Sequence, residues 1–145
     1  MDLRSPAFEN GGRIPPRYTC DDADVSPPLQ IADLPAGTAT LALVMDDPDA
    51  PMGTFDHWIV WNIPPDTVEV PEGEEPNGMQ GMTDFGRLGY GGPCPPGGTH
   101  RYRFKLYALD EGLNLREGTR KEGLERAMED HVLAEAVLEG TYSRA

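Results

Sequence analysis

Two stretches of the chain are apolar at nearly every position and short enough to be strands, and a third reads as a strong strand with alternating polar positions. Thr40–Asp46 reads Thr-Leu-Ala-Leu-Val-Met-Asp, His57–Ile63 reads His-Trp-Ile-Val-Trp-Asn-Ile, and Tyr102–Leu109 is the third. Unbroken apolar runs of this length, rich in β-branched and aromatic residues, predict strands buried on both faces. Asp47-Pro48-Asp49-Ala50-Pro51 ends the first and Pro64-Pro65 ends the second, since proline cannot continue a ladder. Weaker alternation near Ala7–Glu9 and Leu29–Ala32 predicts two brief strands between Gly and Pro turns. Near the end the period changes. Thr119-Arg120-Lys121-Glu122 has the form of a capping box. Leu124, Ala127, Met128, His131, Ala134, Val137 and Leu138 then fall on one helical stripe. These positions predict one long helix to about Glu139, stopped by Gly140, with a short last strand at Thr141–Ser143. His131, on that stripe, is read as a core histidine.

The 145 residues predict a single domain, 1–145, without linker or repeat. Its class is mainly β (α+β), with a long helix against the sheet. The 17 Gly and 15 Pro alternate with the apolar runs and so read as turns, which argues against a helical bundle. Net charge is −13, and Lys105 and Lys121 are the only lysines. This charge repels phosphate backbones, so no nucleic-acid partner is expected. No apolar run reaches the ~18 residues of a membrane span. The start lacks a basic and apolar leader, so the expected location is cytoplasmic. An acid excess with so little lysine suggests a halophilic, salt-rich setting. At ~1 M salt the screening length falls to about 3 Å, which mutes self-repulsion.

Polar groups capable of chemistry gather at strand ends. Asp47 and Asp49 follow the first strong strand, His57 opens the second, and His100 and Tyr102 open the third. An antiparallel first pair places Asp47 and His57 at one sheet edge. The Gly/Pro loop Gly89–Pro96 leads into His100 and arrives there too. Imidazole, phenol and backbone N–H donors in a small hollow suit an anion such as phosphate. Asp47 beside His57 is read as the pair that fixes a ring's tautomer. A second reading takes Asp47, Asp49, His57 and His100 as divalent-metal ligands of a hydrolase. No nucleophile elbow, phosphate-binding loop, dinucleotide fingerprint or zinc motif occurs, so no cofactor is expected. Cys20 and Cys94 form no zinc spacing. Cytosolic thiols are usually free, yet both lie in Gly/Pro loops that can be neighbours.

Asp47-Pro48-Asp49-Ala50-Pro51, the segment His57-Trp58 through Asn62-Ile63-Pro64, Gly92-Pro93-Cys94-Pro95-Pro96 and His100-Arg101-Tyr102 together resemble the signatures of the phosphatidylethanolamine-binding protein family, in its bacterial and archaeal Raf-kinase-inhibitor-like branch. Phe8, Ile14-Pro15, Tyr18-Thr19-Cys20-Asp21 and Ser26-Pro27-Pro28-Leu29 carry the resemblance toward the start. It implies a central antiparallel-rich sheet packed on a smaller one, with helices at one side. It also implies a small pocket at one sheet edge for phosphate or phospholipid headgroups. By position, that pocket uses Asp47, Pro51, His57, Gly92, Pro93, His100 and Tyr102, with Gly92 exposing backbone. Members are generally non-enzymatic binding or inhibitory proteins, some acting on kinases or proteases, and branch members often form homodimers. One departure is Asp22, where the branch usually has Gly after Cys20-Asp21.

Overall fold

The computed structural model describes residues 1–144 and is built around the three predicted strong strands. β3 (Thr40–Asp47) lies at the centre, with β4 (Phe55–Ile63) on one side and β7 (His100–Leu109) on the other, all antiparallel. A two-residue strand β6 (Met79–Gln80) extends the sheet beyond β4, and β8 (Val132–Tyr142) extends it beyond β7, giving the order β6-β4-β3-β7-β8. A second, smaller sheet has the order β1 (Asp2–Arg4), β2 (Leu29–Ala32), β5 (Glu69–Val70). The brief strand expected at Ala7–Glu9 does not form; pairing begins instead at Asp2.

Alternation along the central strands explains the layers. Leu41, Leu43 and Met45 face the small sheet and join Leu3, Leu29, Ile31 and Val70 in one core. Ala42 and Val44 face the other way, where Ile59, Trp61, Leu109 and Leu113 meet Leu124 and Met128 of helix α1 (Lys121–Met128). Trp58 and Trp61 therefore serve opposite cores. A bulge near Asn62, which adopts φ 54°, turns Ile63 back toward the first core. The Asn62 amide is fixed there, since Leu113 N–H donates to its Oδ1 and its Nδ2 donates to the Leu113 carbonyl, both at 2.8 Å.

The long C-terminal helix is corrected by the structure. α1 ends at Met128, and the chain reverses through Asp130, whose φ is 67°, into an eleven-residue strand. From Leu133 on, the stretch also fits a period of two, with Ala134, Ala136, Leu138, Gly140 and Tyr142 inward and Leu133 and Val137 outward, while a bulge puts Val132 out of phase. The ladder against β7, from His100↔Tyr142 to Leu109↔Val132, prevails over helical propensity here. Gly140 is thus no helix stop. A Cβ there would lie 2.5 Å from Ile14 Cγ1 and 2.9 Å from Phe8, so the close packing of residues 8–14 over β8 needs glycine. The capping box is absent as well: Thr119 Oγ1 donates to the Arg116 carbonyl, and Arg120 occupies the cap position without a side-chain bond. Among the described residues, no helix is long and apolar enough to cross a membrane.

Candidate functional site

The sheet edge where β3 ends, β4 begins and β7 begins encloses a cleft of about 210 Å³. Asp47, His57, His100 and Tyr102 supply its polar groups; Ala50, Pro51, Phe55, Phe85, Cys94, Pro95 and Pro96 complete the lining. Its volume lies below the ~300 Å³ at which drug-sized sites begin, so a small group suits it. Among the seven residues expected at the site, Asp47, Pro51, His57, His100 and Tyr102 line this cleft. Gly92 and Pro93 do not. The Gly92 N–H donates to Asp24 Oδ1 at 2.8 Å, and a Cβ at Gly92 would strike the Tyr18 carbonyl at 2.2 Å. The expectation that Gly92 exposes its backbone is therefore corrected: its amide is committed to holding the loop.

Asp47 is 4% exposed, and both its oxygens are occupied. Oδ1 accepts the Asp49 N–H at 2.8 Å and Oδ2 lies 2.7 Å from His100 Nδ1. A carboxylate here only accepts, so Nδ1 of His100 carries the proton. The ring that Asp47 orients is thus His100, and not His57 as the strand pairing predicts. His57 Nδ1 lies 2.7 Å from the Gly91 carbonyl, another pure acceptor. Gly91 returns the contact by donating its N–H to the His57 carbonyl at 3.1 Å. Burial pushes the His57 imidazole below its usual pKa, and the Gly91 carbonyl and Asp47 only partly offset this. The Tyr102 hydroxyl is buried beside the Asp47 carboxylate, and among the described residues no group accepts from it in good hydrogen-bonding geometry. Burial, and then the nearby Asp47 charge, push its pKa far above the ordinary range.

His57 reaches the cleft because of a break in register. Met45 pairs with Trp58, but Asp46 pairs with Asp56, which leaves His57 as an extra residue in β4. Strict alternation would seat His57 on the face of Ile59, opposite Trp58. The bulge lets Phe55, His57 and Trp58 share one side, as bulges near sites commonly do. His57 then sits edge-on to Phe55, Phe85 and Tyr102, with ring centroids 5.0, 5.1 and 5.4 Å away. Phe85 lies against Gly91 so closely that a Cβ there would fall 2.3 Å from its ring. Phe55, Phe85, Pro95 and Pro96 belong to the cleft but are missing from the expected site. The only sequence signal for Phe85 is an aromatic within an otherwise Gly-rich loop.

The loop before β7 is fastened to the chain before β2. Cys20 and Cys94 form a disulfide with Cα atoms 5.4 Å apart, which resolves the open question of their pairing. The Cys20 N–H also donates to the Pro93 carbonyl, and the Tyr90 hydroxyl donates to the Tyr18 carbonyl at 2.7 Å. Asp22 does not adopt a positive φ, whereas Asp24 does at 56°. The missing glycine at position 22 is therefore not needed for backbone conformation.

Asp49 points away from the cleft and is held by Arg101 through its backbone N–H, Nε and Nη2 at 2.9–3.0 Å. Those bonds hold its carboxyl down at about 2. Asp47, Asp49, His57 and His100 do not come close enough to share an ion among the described residues. The group that does is Asp110, Glu111 and His131, at the opposite end of β7. His131 is no core residue: it is partly exposed and ion-paired, 2.9 Å from Asp110 and 3.2 Å from Glu111. On the other face of the sheet, buried Asp46 gathers Arg103, Lys105 and Lys121, both lysines of the chain among them. Lys121 also lies 2.7 Å from Asp56 and so ties the start of α1 to β4.

A family model for phosphatidylethanolamine-binding protein matches residues 4–143. A UPF0098 protein of Methanothermobacter thermautotrophicus is 51% identical, with 99% of each chain covered. One from Pyrococcus horikoshii is also 51% identical, covering 99% of this chain and 78% of its own. Among solved structures, a phosphatidylethanolamine-binding protein homolog from Chlamydia trachomatis superposes with a TM-score of 0.96 at 42% identity, covering 99% and 97% of the two chains. E. coli YbcL, described as a member of the mammalian family, superposes with a TM-score of 0.91 at 28% identity, covering 99% and 98%.

Proposed function

We propose, for a chain that belongs to the phosphatidylethanolamine-binding protein family, that the cleft is a non-enzymatic binding site for a small phosphate-type anion, free or as a phospholipid headgroup. The observation that carries this reading is the Tyr102 hydroxyl, buried and without a well-placed acceptor beside two imidazoles whose Nε2 atoms have no protein partner among the described residues. A buried donor left unpaired costs about 1–3 kcal/mol, and a ligand oxygen that accepts from it recovers that cost. The apolar lining lowers the local dielectric and strengthens such bonds. Because the protein carries −13, affinity comes from short-range bonds in the cleft and not from its overall field.

Calorimetric titration of phosphate and phosphoethanolamine into the wild type and His57→Ala tests this, in ~1–2 M KCl to screen the global charge. The wild type is expected to bind and the variant to bind more weakly. Equal binding by both would reject the assigned site. The metal-assisted hydrolase gains no support, because Asp49 is committed to Arg101 and the four residues do not converge.

A further inference from the structure

The cleft contains a conflict that its anion reading alone does not resolve. Its lining includes no Lys or Arg, and its one fixed charge is the Asp47 carboxylate. Both imidazoles are bound through Nδ1 to groups that only accept, the Gly91 carbonyl and the Asp47 carboxylate. In the neutral ring a proton on Nδ1 leaves Nε2 as a bare lone pair. The site therefore offers a nitrogen acceptor at His57, a carboxylate whose two oxygens each already accept one bond, and one phenolic donor. A fully ionised oxyanion brings only acceptors and meets acceptors.

We infer that the pocket takes its oxyanion with a proton aboard: a phosphomonoester as the monoanion, whose P–OH donates to His57 Nε2 while a P–O oxygen accepts from the Tyr102 hydroxyl. This deepens the anion reading and rests on it. Burial of the His57 ring keeps it neutral and outweighs the Gly91 carbonyl, Asp47, Asp24 and Asp46, which pull its pKa up. Asp47 from β3 adds negative charge beside the ligand. Tyr102 from β7 packs edge-on against the ring, while His100 stacks on the far side of Tyr102 with its own Nδ1 committed. Asp24, on the loop before β2, holds the Gly92 amide beside the Gly91 carbonyl that fixes the ring. Phe55 and Phe85 pack edge-on against the ring. Burial depresses the His57 pKa, so the ring resists supplying the proton itself. An aliphatic or alcohol-derived substituent on the ester can rest on Pro51, Pro95 and Pro96.

The test uses two ligands that differ by one proton. Methyl phosphate and methyl sulfate have the same shape and, at about pH 6 or below, the first is largely a monoanion like the second. Only methyl phosphate carries an acidic O–H. In calorimetric titration of the full chain, methyl phosphate is expected to bind and methyl sulfate to bind at least about tenfold more weakly, since a site built to accept a hydrogen bond discriminates strongly against a ligand lacking it. Methyl phosphate affinity is then expected to fall by about tenfold per pH unit above its second pKa of about 6. His57→Phe keeps a ring at this position and is expected to level the two ligands. Equal affinity in the wild type would overturn the inference while leaving an anion pocket in place. Failure of both ligands to bind would overturn it together with the anion reading. A preference that survives in His57→Phe would overturn the assignment of His57 as the acceptor. The wild-type ratio decides the inference even if that variant does not fold.

Discussion

Asp47→Asn separates an orienting carboxylate from a residue that merely fills space. In the wild type, Oδ1 accepts from Asp49 N–H at 2.8 Å and Oδ2 from His100 Nδ1 at 2.7 Å, both in a side chain that is almost wholly buried. An asparagine fits only one way. Its oxygen must face the Asp49 N–H, because the amide NH₂ would meet that donor head-on. Its NH₂ then faces His100 and requires a lone pair on Nδ1, so the ring's proton moves to Nε2. Two charge-assisted bonds become neutral ones. A charge-assisted bond contributes about 1.5–3 kcal/mol and a neutral one about 0.5–1.5. The difference is roughly 1 kcal/mol for each bond, or about 2 kcal/mol in all. For a chain of this size that lowers the melting temperature by about 4–8 °C. Thermal unfolding measures the stability, and imidazole 15N shifts distinguish a protonated nitrogen from a bare one. The expected result is a lower melting temperature together with a His100 tautomer reversed relative to the wild type. An unchanged melting temperature, with Nδ1 of His100 still protonated, would refute the reasoning.

Other expectations follow from the same contacts. Replacing both Cys20 and Cys94 by Ser opens a loop of 74 residues; by loop entropy this costs up to about 4 kcal/mol, readable as a lower urea midpoint. Gly140→Ala puts a methyl group against Ile14 and Phe8 and is expected to cost about 1–3 kcal/mol by the same assay; an unaffected midpoint would contradict the packing of β8 beneath residues 8–14. His57 has a folded-state pKa below its unfolded value. As pH falls below the unfolded pKa of about 6.5, the unfolded chain binds a proton that the folded chain refuses, so stability declines toward acid until the folded value is passed. Stability curves from pH 8 downward should show this decline in the wild type, and His57→Phe should flatten it.

Much of the frame was legible because β3 and β4 are apolar on both faces and end at prolines, while β7 alternates in sequence. β3, β4 and β7 needed only small changes at their ends. β8 was hidden because its residues satisfy two periods at once, and only the β7 ladder chooses between them. The same difficulty governs the site. The sheet edge could be read from strand pairing, but the face that His57 occupies depends on a one-residue bulge with no local sequence mark. The partner of Asp47 is His100 for the same reason: the bulged His57 is drawn to Gly91, which leaves the carboxylate to the ring at the start of β7. Phe55 and Phe85 look like ordinary apolar residues in the sequence and become walls only when the loops close. Gly92 resembles a donor until Asp24, distant in the chain, claims its amide.

The chain has three histidines, two in the cleft and one at the far end of β7 beside Asp110 and Glu111. Titrating inorganic phosphate into 15N-labelled protein while following all three rings tests the site most directly. The account predicts that His57 and His100 shift together on one saturating curve while His131 stays still. Movement of His131 alone, or of no ring at all, would contradict it.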